Sequence, residues 1–416
     1  GVFSILVGAF SSSELVIILA LQAFYIGQNI RKPFMVQRVG DASVNERRAS
    51  ALSVESQLTS LLVMILSPIL GFLSDTFGVR NMFFILGVVL LVYSSIQYLF
   101  KRRQENNELI SKVFYKAFKN EILEKSEDAA VIENGKLAFS TDSFTVSPLE
   151  FPGADIGKLA ICGTCNDLAM MGAKPKYLTC SVILEEGFDV DTLNRIVSSM
   201  QKELEVNGAI VVSGDTKVVP RGSVDKIFIN TTGIGQIEQK GISSNSIQEE
   251  DVIIVSNSIG KHGATIFAAR EGIDFSTSLK SDCASLWPVV KKLIDSGIKI
   301  RALRDATRGG VSAVLNEWAK QSDICIEIEE EKIPVCDEVS GICELLGFEA
   351  LSLANEGTFV MAISKDQVDS ALEVLKSHET SKEAAIIEKV TSKHNKKVVL
   401  NTAWGTQRFI DLPTGE

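Results

Sequence analysis

Residues 137–171 read LAFSTDSFTVSPLEFPGADIGKLAICGTCNDLAMM, and this stretch decides the fold. Leu137-Ala138-Phe139-Ser140 is a short apolar run that predicts a strand, Phe151-Pro152-Gly153 predicts a turn, and Ile156 to Met171 predicts a helix. The same alternation continues downstream. Leu178 to Leu184 predicts a strand, Asp191 to Val206 a helix, Ala209-Ile210-Val211-Val212 a strand and Lys226 to Gly233 another. Gly241 to Glu250 is polar and Ser-rich and reads as a linker, after which Val252-Ile253-Ile254-Val255 opens a second α/β region running to the C-terminus. Upstream, from Gln104 to about Lys125, Leu109, Ile110, Val113, Phe114 and Phe118 recur at three- and four-residue spacing and predict a helix. Strands and helices in this irregular order predict α+β layers rather than a doubly wound sheet.

Charge divides the chain. Of its 42 Lys and Arg and 52 Asp and Glu, only six and five lie in residues 1–100, leaving 36 basic and 47 acidic groups beyond. The first hundred residues carry +1 and the rest −11. An acidic body excludes a nucleic-acid binder, which needs clustered Lys and Arg against phosphates.

Three charge-poor stretches lie in the first hundred residues: 15–30, lengthened by Ser12 and Ser13 if Glu14 is tolerated, then Ser56 to Ser74 and Asn81 to Phe100. Each approaches the ~20 apolar residues that a spanning helix needs, so about three transmembrane helices are expected. Arg31, Lys32, Arg38, Arg47 and Arg48 fill the first loop, Arg80 stands alone in the second, and Lys101-Arg102-Arg103 follows the third stretch. The basic side is cytoplasmic by the positive-inside rule, which places the acidic body in the cytoplasm. Asn45-Glu46-Arg47-Arg48-Ala49-Ser50-Ala51-Leu52-Ser53, Pro68-Ile69-Leu70-Gly71-Phe72-Leu73-Ser74-Asp75 and Gly78 resemble the last helices of a major facilitator superfamily transporter. Three helices cannot build the two-halved transport site, so this segment is expected to anchor in the lipid bilayer. The alternative is a junction of two gene fragments, which would leave the body cytoplasmic.

Three carboxylates in the body stand where a hard cation could use them. Asp142 follows the first predicted strand, Asp167 lies on the helix in Asn166-Asp167-Leu168-Ala169, and Asp215 ends a predicted strand in Gly214-Asp215-Thr216-Lys217. Brought together, such groups bind Mg²⁺, which takes oxygen ligands and is usually shared with substrate phosphates. Lys217 lies two positions from Asp215, on the same side of an extended segment, and would neutralise a transferring phosphoryl group. Singly, each Asp is better explained as a turn or cap residue.

Their joint occurrence carries a resemblance. Phe139-Ser140-Thr141-Asp142-Ser143, Pro148, Phe151 to Ala160, Asn166 to Ala169, Gly172-Ala173, Gly214 to Val219, Ser281-Asp282-Cys283-Ala284, Leu303 to Val311 and Ala354-Asn355-Glu356-Gly357 together resemble the HypE family of hydrogenase maturation carbamoyl dehydratases. That family belongs to the PurM-like (AIR synthase) superfamily, and the resemblance covers nearly all of residues 105–416. It implies a two-domain α+β fold, with a ferredoxin-like ATP-binding domain over 104–240 and an α/β domain over 250–416, after the membrane segment 1–100. It implies ATP-dependent dehydration of a thiocarboxamide on the protein's own C-terminal Cys to a thiocyanate, the cyanide source for [NiFe] hydrogenase. ATP and Mg²⁺ are the implied cofactors. Asp142, Asp167 and Asp215 are the implied Mg–ATP ligands, with Asn166 and Lys217 beside the nucleotide. Lys217 and Glu356 are implied at the phosphoryl oxygen and the amide proton. The implied partners are a second copy of the chain, a HypF-like carbamoyl donor and HypC- and HypD-like iron-centre assembly proteins.

Two departures from the family pattern stand at the ends. No His-Gly-x-Gly-Gly loop precedes the body, where Phe100-Lys101-Arg102-Arg103 stands, and the chain stops at Asp411-Leu412-Pro413-Thr414-Gly415-Glu416 without the family's terminal Cys. Mg–ATP binding with impaired turnover in cis is therefore expected. The alternatives are a non-catalytic, membrane-tethered Mg–ATP scaffold or another PurM-like ATP-dependent enzyme. Other residues invite plainer readings. Cys162-x-x-Cys165 lacks the second pair of a zinc site and reads as helix packing. An odd count of seven Cys in a cytoplasmic body reads as reduced thiols, and Cys283 as structural. His262 is equally a phosphate contact or a loop residue, Glu327 to Glu331 reads as an exposed strand-to-turn segment, and Arg304, Asp305 and Arg308 read either as organising the site, the reading slightly favoured, or as a structural ion pair.

Overall fold

The computed structural model describes residues 116–118, 120–272 and 278–412. The expected membrane helices of residues 1–100 and most of the helix expected over 104–125 lie outside the described residues. Among the described residues no helix is long and apolar enough to cross a membrane.

Two sheets organise the body. The first contains β1 (Ala130–Ile132), β2 (Leu137–Phe144), β5 (Ala173–Glu185), β6 (Ile210–Val219) and β7 (Ile227–Ile237), in the order β1-β2-β7-β5-β6. Only the β5–β6 pairing is parallel. A small hairpin, β3 (Glu150–Phe151) with β4 (Ala154–Asp155), leads into α1 (Ile156–Met170). Asp155 caps that helix, accepting from the Lys158 N–H at 2.8 Å, and so satisfies one of the donors left free at a helix start. Asp189 does the same for α2 (Val190–Asn207), and Gly208 closes that helix in the left-handed region at φ 64°. Both helices cover one face of the sheet through Ile156, Ala160, Ile161, Ile196 and Met200 against Leu178, Ile227 and Ile229. They cross closely because of Gly157: a Cβ there would lie 2.4 Å from the Ile196 carbonyl oxygen.

The second sheet has seven strands, β14-β13-β10-β12-β8-β11-β9. In chain order these are β8 (Val252–Val255), β9 (Ile300–Asp305), β10 (Cys325–Glu329), β11 (Phe359–Ile363), β12 (Ala385–Thr391), β13 (Lys397–Asn401) and β14 (Gln407–Ile410). Its helices are α3 (Lys261–Glu271), α4 (Trp287–Asp295), α5 (Gly310–Gln321), α6 (Asp337–Leu346) and α7 (Val368–Lys376). The uninterrupted apolar run at β8 is explained by burial on both faces. Ile253 and Val255 pack with Val311, Val314, Leu315 and Trp318 of α5. Ile254 points the other way, into Trp287, Val290 and Leu293 of α4 and Leu375 of α7. Ala169 and Met170, at the end of α1, enter this second core and tie the two sheets' layers together.

Several elements are longer than their apolar runs. Asp142 lies within β2 rather than after it, and Asp215 lies within β6 rather than at its end. Ladder hydrogen bonds carry both strands through polar residues that hydrophobic periodicity does not register. Glu327, expected on an exposed segment, is 7% exposed in β10, where Thr391 Oγ1 donates to it at 3.0 Å and Lys393 Nζ lies 3.0 Å away. Trp318, fully buried on α5, is among the largest side chains of the second core. Trp318→Ala is expected to lower stability by about 3–5 kcal/mol, measured as a reduced urea midpoint with an unchanged slope.

Candidate functional site

Four carboxyl groups from four segments approach one another beneath the first sheet's helix-covered face. Asp142 comes from β2, Asp167 from α1, Asp128 from the segment entering β1, and Asp305 from the end of β9. Asp305 is 5% exposed. Asp167 is half-buried, and Ser140 Oγ donates to its Oδ2 at 2.5 Å from the same face of β2 that carries Asp142. Burial pushes the Asp167 carboxyl well above the usual carboxylate range, and the charges of Asp142, Asp305 and Asp128 push it further. Burial likewise raises Asp142, opposed by its hydrogen bond with Asp167 and by Arg308. Asp305 is raised by burial and by Asp128 and Asp142.

Asp128 has the most specific surroundings. Its Oδ1 lies 2.8 Å from Arg304 Nε, while its Oδ2 is buried with no hydrogen-bond partner. Burial raises its carboxyl to about 7, against the pull of Arg304. Arg304 also lies 2.8 Å from Glu317 Oε2, so its charge is divided between two carboxylates. These contacts make Arg304 the centre of an ion-pair network with Asp128 and Glu317. Asp128 carries no assigned role in the sequence reading, although Glu127-Asp128-Ala129-Ala130 directly before a strand was the signal that could have found it.

Hard oxygen donors with surplus negative charge suit Mg²⁺ chemically. Among the described residues, however, no three His, Cys, Asp or Glu side chains form a ready metal cage. Mg²⁺ ordinarily uses one or two carboxylates and takes the rest of its shell from water and phosphates, so Asp142 and Asp167 fit that role with a nucleotide present.

The remaining expected residues are placed differently. Asp142 pairs with Thr231 of β7, Thr231 with Cys180 of β5, and Cys180 with Gly214 of β6. Gly214 therefore shares Asp142's rung and face, while Asp215 and Lys217 project from the helix-free face. Three strand spacings separate β2 from β6, roughly 14 Å. Both Asp215 and Lys217 are exposed on the unpaired edge. Within one chain the structure thus unites Asp142 with Asp167 and keeps Asp215 and Lys217 apart from them, because β7 and β5 intervene.

Asn166 is 1% exposed and spends its amide on backbone rather than on an open nucleotide site. Its Nδ2 donates to the carbonyls of Ala284 at 3.0 Å and Glu356 at 3.3 Å, and its Oδ1 accepts from the Leu286 N–H at 2.8 Å. Asn166, expected to contact the nucleotide, thus has its amide already engaged by backbone. Glu356 is half-buried in the loop before β11; the nearby Cys283 thiol is raised by its contact with Cys162 and by burial, with a smaller push from Glu356. His262 is 7% exposed, with Nδ1 2.9 Å from Ser281 Oγ and its ring edge-on to Phe151, which favours the structural reading over a phosphate contact. Cys162 and Cys165 are buried free thiols, as helix packing requires.

Comparison with known proteins places these residues in context. Residues 126–237 match the N-terminal domain model of AIR synthase related proteins, and residues 248–401 match the C-terminal domain model. Carbamoyl dehydratase HypE of Escherichia coli is 46% identical over 322 residues, covering 75% of this chain and 95% of that protein. The chain is also similar to solved structures. One is a HypE–HypF complex, with TM-score 0.70 and 48% identity over 73% of this chain and 99% of that one. Another is hydrogenase maturation protein HypE in complex with ATP, with TM-score 0.66 and 43% identity over 76% and 96%.

The raised carboxyls give a direct expectation. A cation binds the ionised form of a carboxyl, so its uptake is expected to compete with the proton of Asp128. Mg²⁺–nucleotide affinity should rise as pH increases through about 7, the value to which Asp128 is raised. Calorimetry in buffers of different ionisation enthalpy should record proton release on binding, and Asp128→Asn should diminish it.

Proposed function

Because this chain belongs to the HypE family of ATP-dependent carbamoyl dehydratases that serve hydrogenase maturation, we propose that its acidic cluster seats the phosphates of Mg–ATP and that Glu356 works on the substrate amide beside them. The observation that carries this reading is the adjacency of the two parts. Asp167 belongs to the cluster, and the preceding residue, Asn166, is hydrogen-bonded to the Glu356 carbonyl.

The reaction is a dehydration driven by phosphoryl transfer. The oxygen of an S-carbamoyl group attacks the γ-phosphorus and ADP leaves. The carbon–oxygen bond then breaks with loss of phosphate while the nitrogen gives up its two protons, leaving S–C≡N. Thiocarbamate and ATP are thus converted to thiocyanate, ADP and phosphate. An amide oxygen is a poor leaving group until it is phosphorylated, which is why the nucleotide is required. Asp142 and Asp167, with Asp128 behind them, would hold Mg²⁺, which when bound offsets the negative charge of the phosphates. Glu356 takes a nitrogen proton, and Lys217 neutralises charge on the phosphoryl oxygens.

Lys217 and Asp215 belong to this scheme only if a second copy supplies them. The β6 edge favours such a homodimer. Ile210, Val211, Val212 and Val218 are all exposed on β6, whose outer edge pairs with no other strand among the described residues, and Phe139, Tyr177 and Ile183 are exposed on the helix-free face. An apolar unpaired edge is a template for pairing with another chain. A HypF-like protein is the proposed source of the carbamoyl group, since a relative forms a HypE–HypF complex, and HypC- and HypD-like proteins would receive the cyanide. Residues 1–100 are proposed as a bilayer anchor that holds the enzyme on the cytoplasmic side, supported by their charge-poor stretches and basic loops.

The test uses a peptide bearing S-carbamoylcysteine with Mg–ATP. The expected result is loss of one water from the peptide and release of one phosphate, with Glu356→Gln and Lys217→Met reduced about 100-fold or more. Phosphate release without peptide dehydration would contradict the proposal. Val212→Lys with Val218→Lys should shift sedimentation from dimer to monomer and abolish turnover together.

A further inference from the structure

Glu356 is held by its backbone from both sides. Its N–H donates to Asp282 Oδ1 at 3.1 Å. The next two residues donate to the other oxygen of the same carboxylate, Gly357 N–H at 3.0 Å and Thr358 Oγ1 at 2.8 Å. The Glu356 carbonyl accepts from Asn166 Nδ2 at 3.3 Å and from the Ala284 N–H at 3.3 Å. No side chain fits at position 357, because a Cβ there would lie 1.8 Å from the Asp282 carbonyl oxygen. The backbone of Glu356 is thus fixed at both of its peptide groups.

Asn166 and Asp167 are consecutive on α1, so their side chains diverge by about 100° around the helix. Asp167 turns to Ser140 and the acidic cluster. Asn166 turns to the second sheet's layer, where all three of its hydrogen bonds end on backbone. One rigid turn of helix therefore sets the offset between the cluster and the Glu356 loop. The chemistry at position 166 is demanding. Two carbonyls must receive N–H donors and one N–H must meet an acceptor, a set that an Asn amide supplies and an Asp carboxylate cannot.

We infer that Asn166 and Asp282 are positioning residues that hold Glu356 at a fixed offset from the acidic cluster. The inference rests on the reading of Glu356 as the group that takes the amide proton. A misplacement near 1 Å can cost about 100-fold in rate, so the effect should fall on kcat.

Asn166→Asp keeps the shape and removes both donors, and Asp282→Asn removes part of the clamp. Each is assayed in the full chain with Mg–ATP and an S-carbamoylcysteine peptide. The expected result is a kcat loss of about 100-fold with the KM for ATP changed less than about threefold. On a Glu356→Gln background neither substitution should lower the rate further, since both act through Glu356. Losses that multiply with Glu356→Gln, or a KM that moves as much as kcat, would overturn the inference. Amide hydrogen exchange gives a readout independent of turnover. Exchange at Glu356 and Gly357 should accelerate about tenfold or more in both variants while β11 stays protected. Unchanged exchange at those amides defeats the positioning role, whatever the activity. Absence of peptide dehydration in the unsubstituted protein, with exchange behaving as expected, defeats the reading of Glu356 instead.

Discussion

Asp128, Asp142, Asp167 and Asp305 converge away from bulk water, and the surrounding structure depends on that unfavourable meeting of like charges. Two unit charges about 4 Å apart repel by about 4 kcal/mol at the effective dielectric of a protein site. A hydrogen bond returns about 1 kcal/mol. The contact from Ser140 to Asp167 and the divided charge of Arg304 do not offset the cluster, whose carboxyls are pushed up by burial and by one another. A site that costs stability in this way is arranged for what it binds. The buried, unpartnered Oδ2 of Asp128 marks the same deficit at a single atom.

Helix α1 transmits this constraint to the rest of the molecule. Its start is fixed by the Asp155 cap, its flank by the close approach of α2 at Gly157, and its end by Ala169 and Met170 within the second core. Between these anchors, Asp167 faces the cluster and Asn166 faces the Glu356 loop. The proposed charge binding and the proposed proton removal therefore fall on two different faces of one helical turn. Asp282 and the side-chain-free Gly357 complete the hold on that loop.

Much of this was legible in the residues. The order of strands and helices followed from apolar runs, and the family from strings such as Asn166-Asp167-Leu168-Ala169 and Asn355-Glu356-Gly357. Asp142, Asp167 and Asp215 were expected together, and within one chain only Asp142 and Asp167 lie side by side. Strand pairing was not legible, because β7 enters between β2 and β5 through contacts 87 to 91 residues apart in sequence, such as Thr141 with Thr232 and Asn230 with Ser143 or the Asp142 carbonyl. That insertion removes Asp215 and Lys217 from the cluster of their own chain. The role of Asn166 was hidden for a related reason, since its partners lie 118 and 190 residues away. Polar stretches such as Thr141-Asp142-Ser143 also concealed how far the strands extend, because their hydrogen bonds leave no hydrophobic trace.

A crystal structure of the protein with Mg²⁺ and a non-hydrolysable ATP analogue tests the central claim most directly. The account predicts Mg²⁺ bound by Asp142 and Asp167 of one chain, with the γ-phosphate also approached by Lys217 of a second copy. A nucleotide bound away from the Asp142–Asp167 pair, or a complete site in an isolated chain without Lys217, would contradict it.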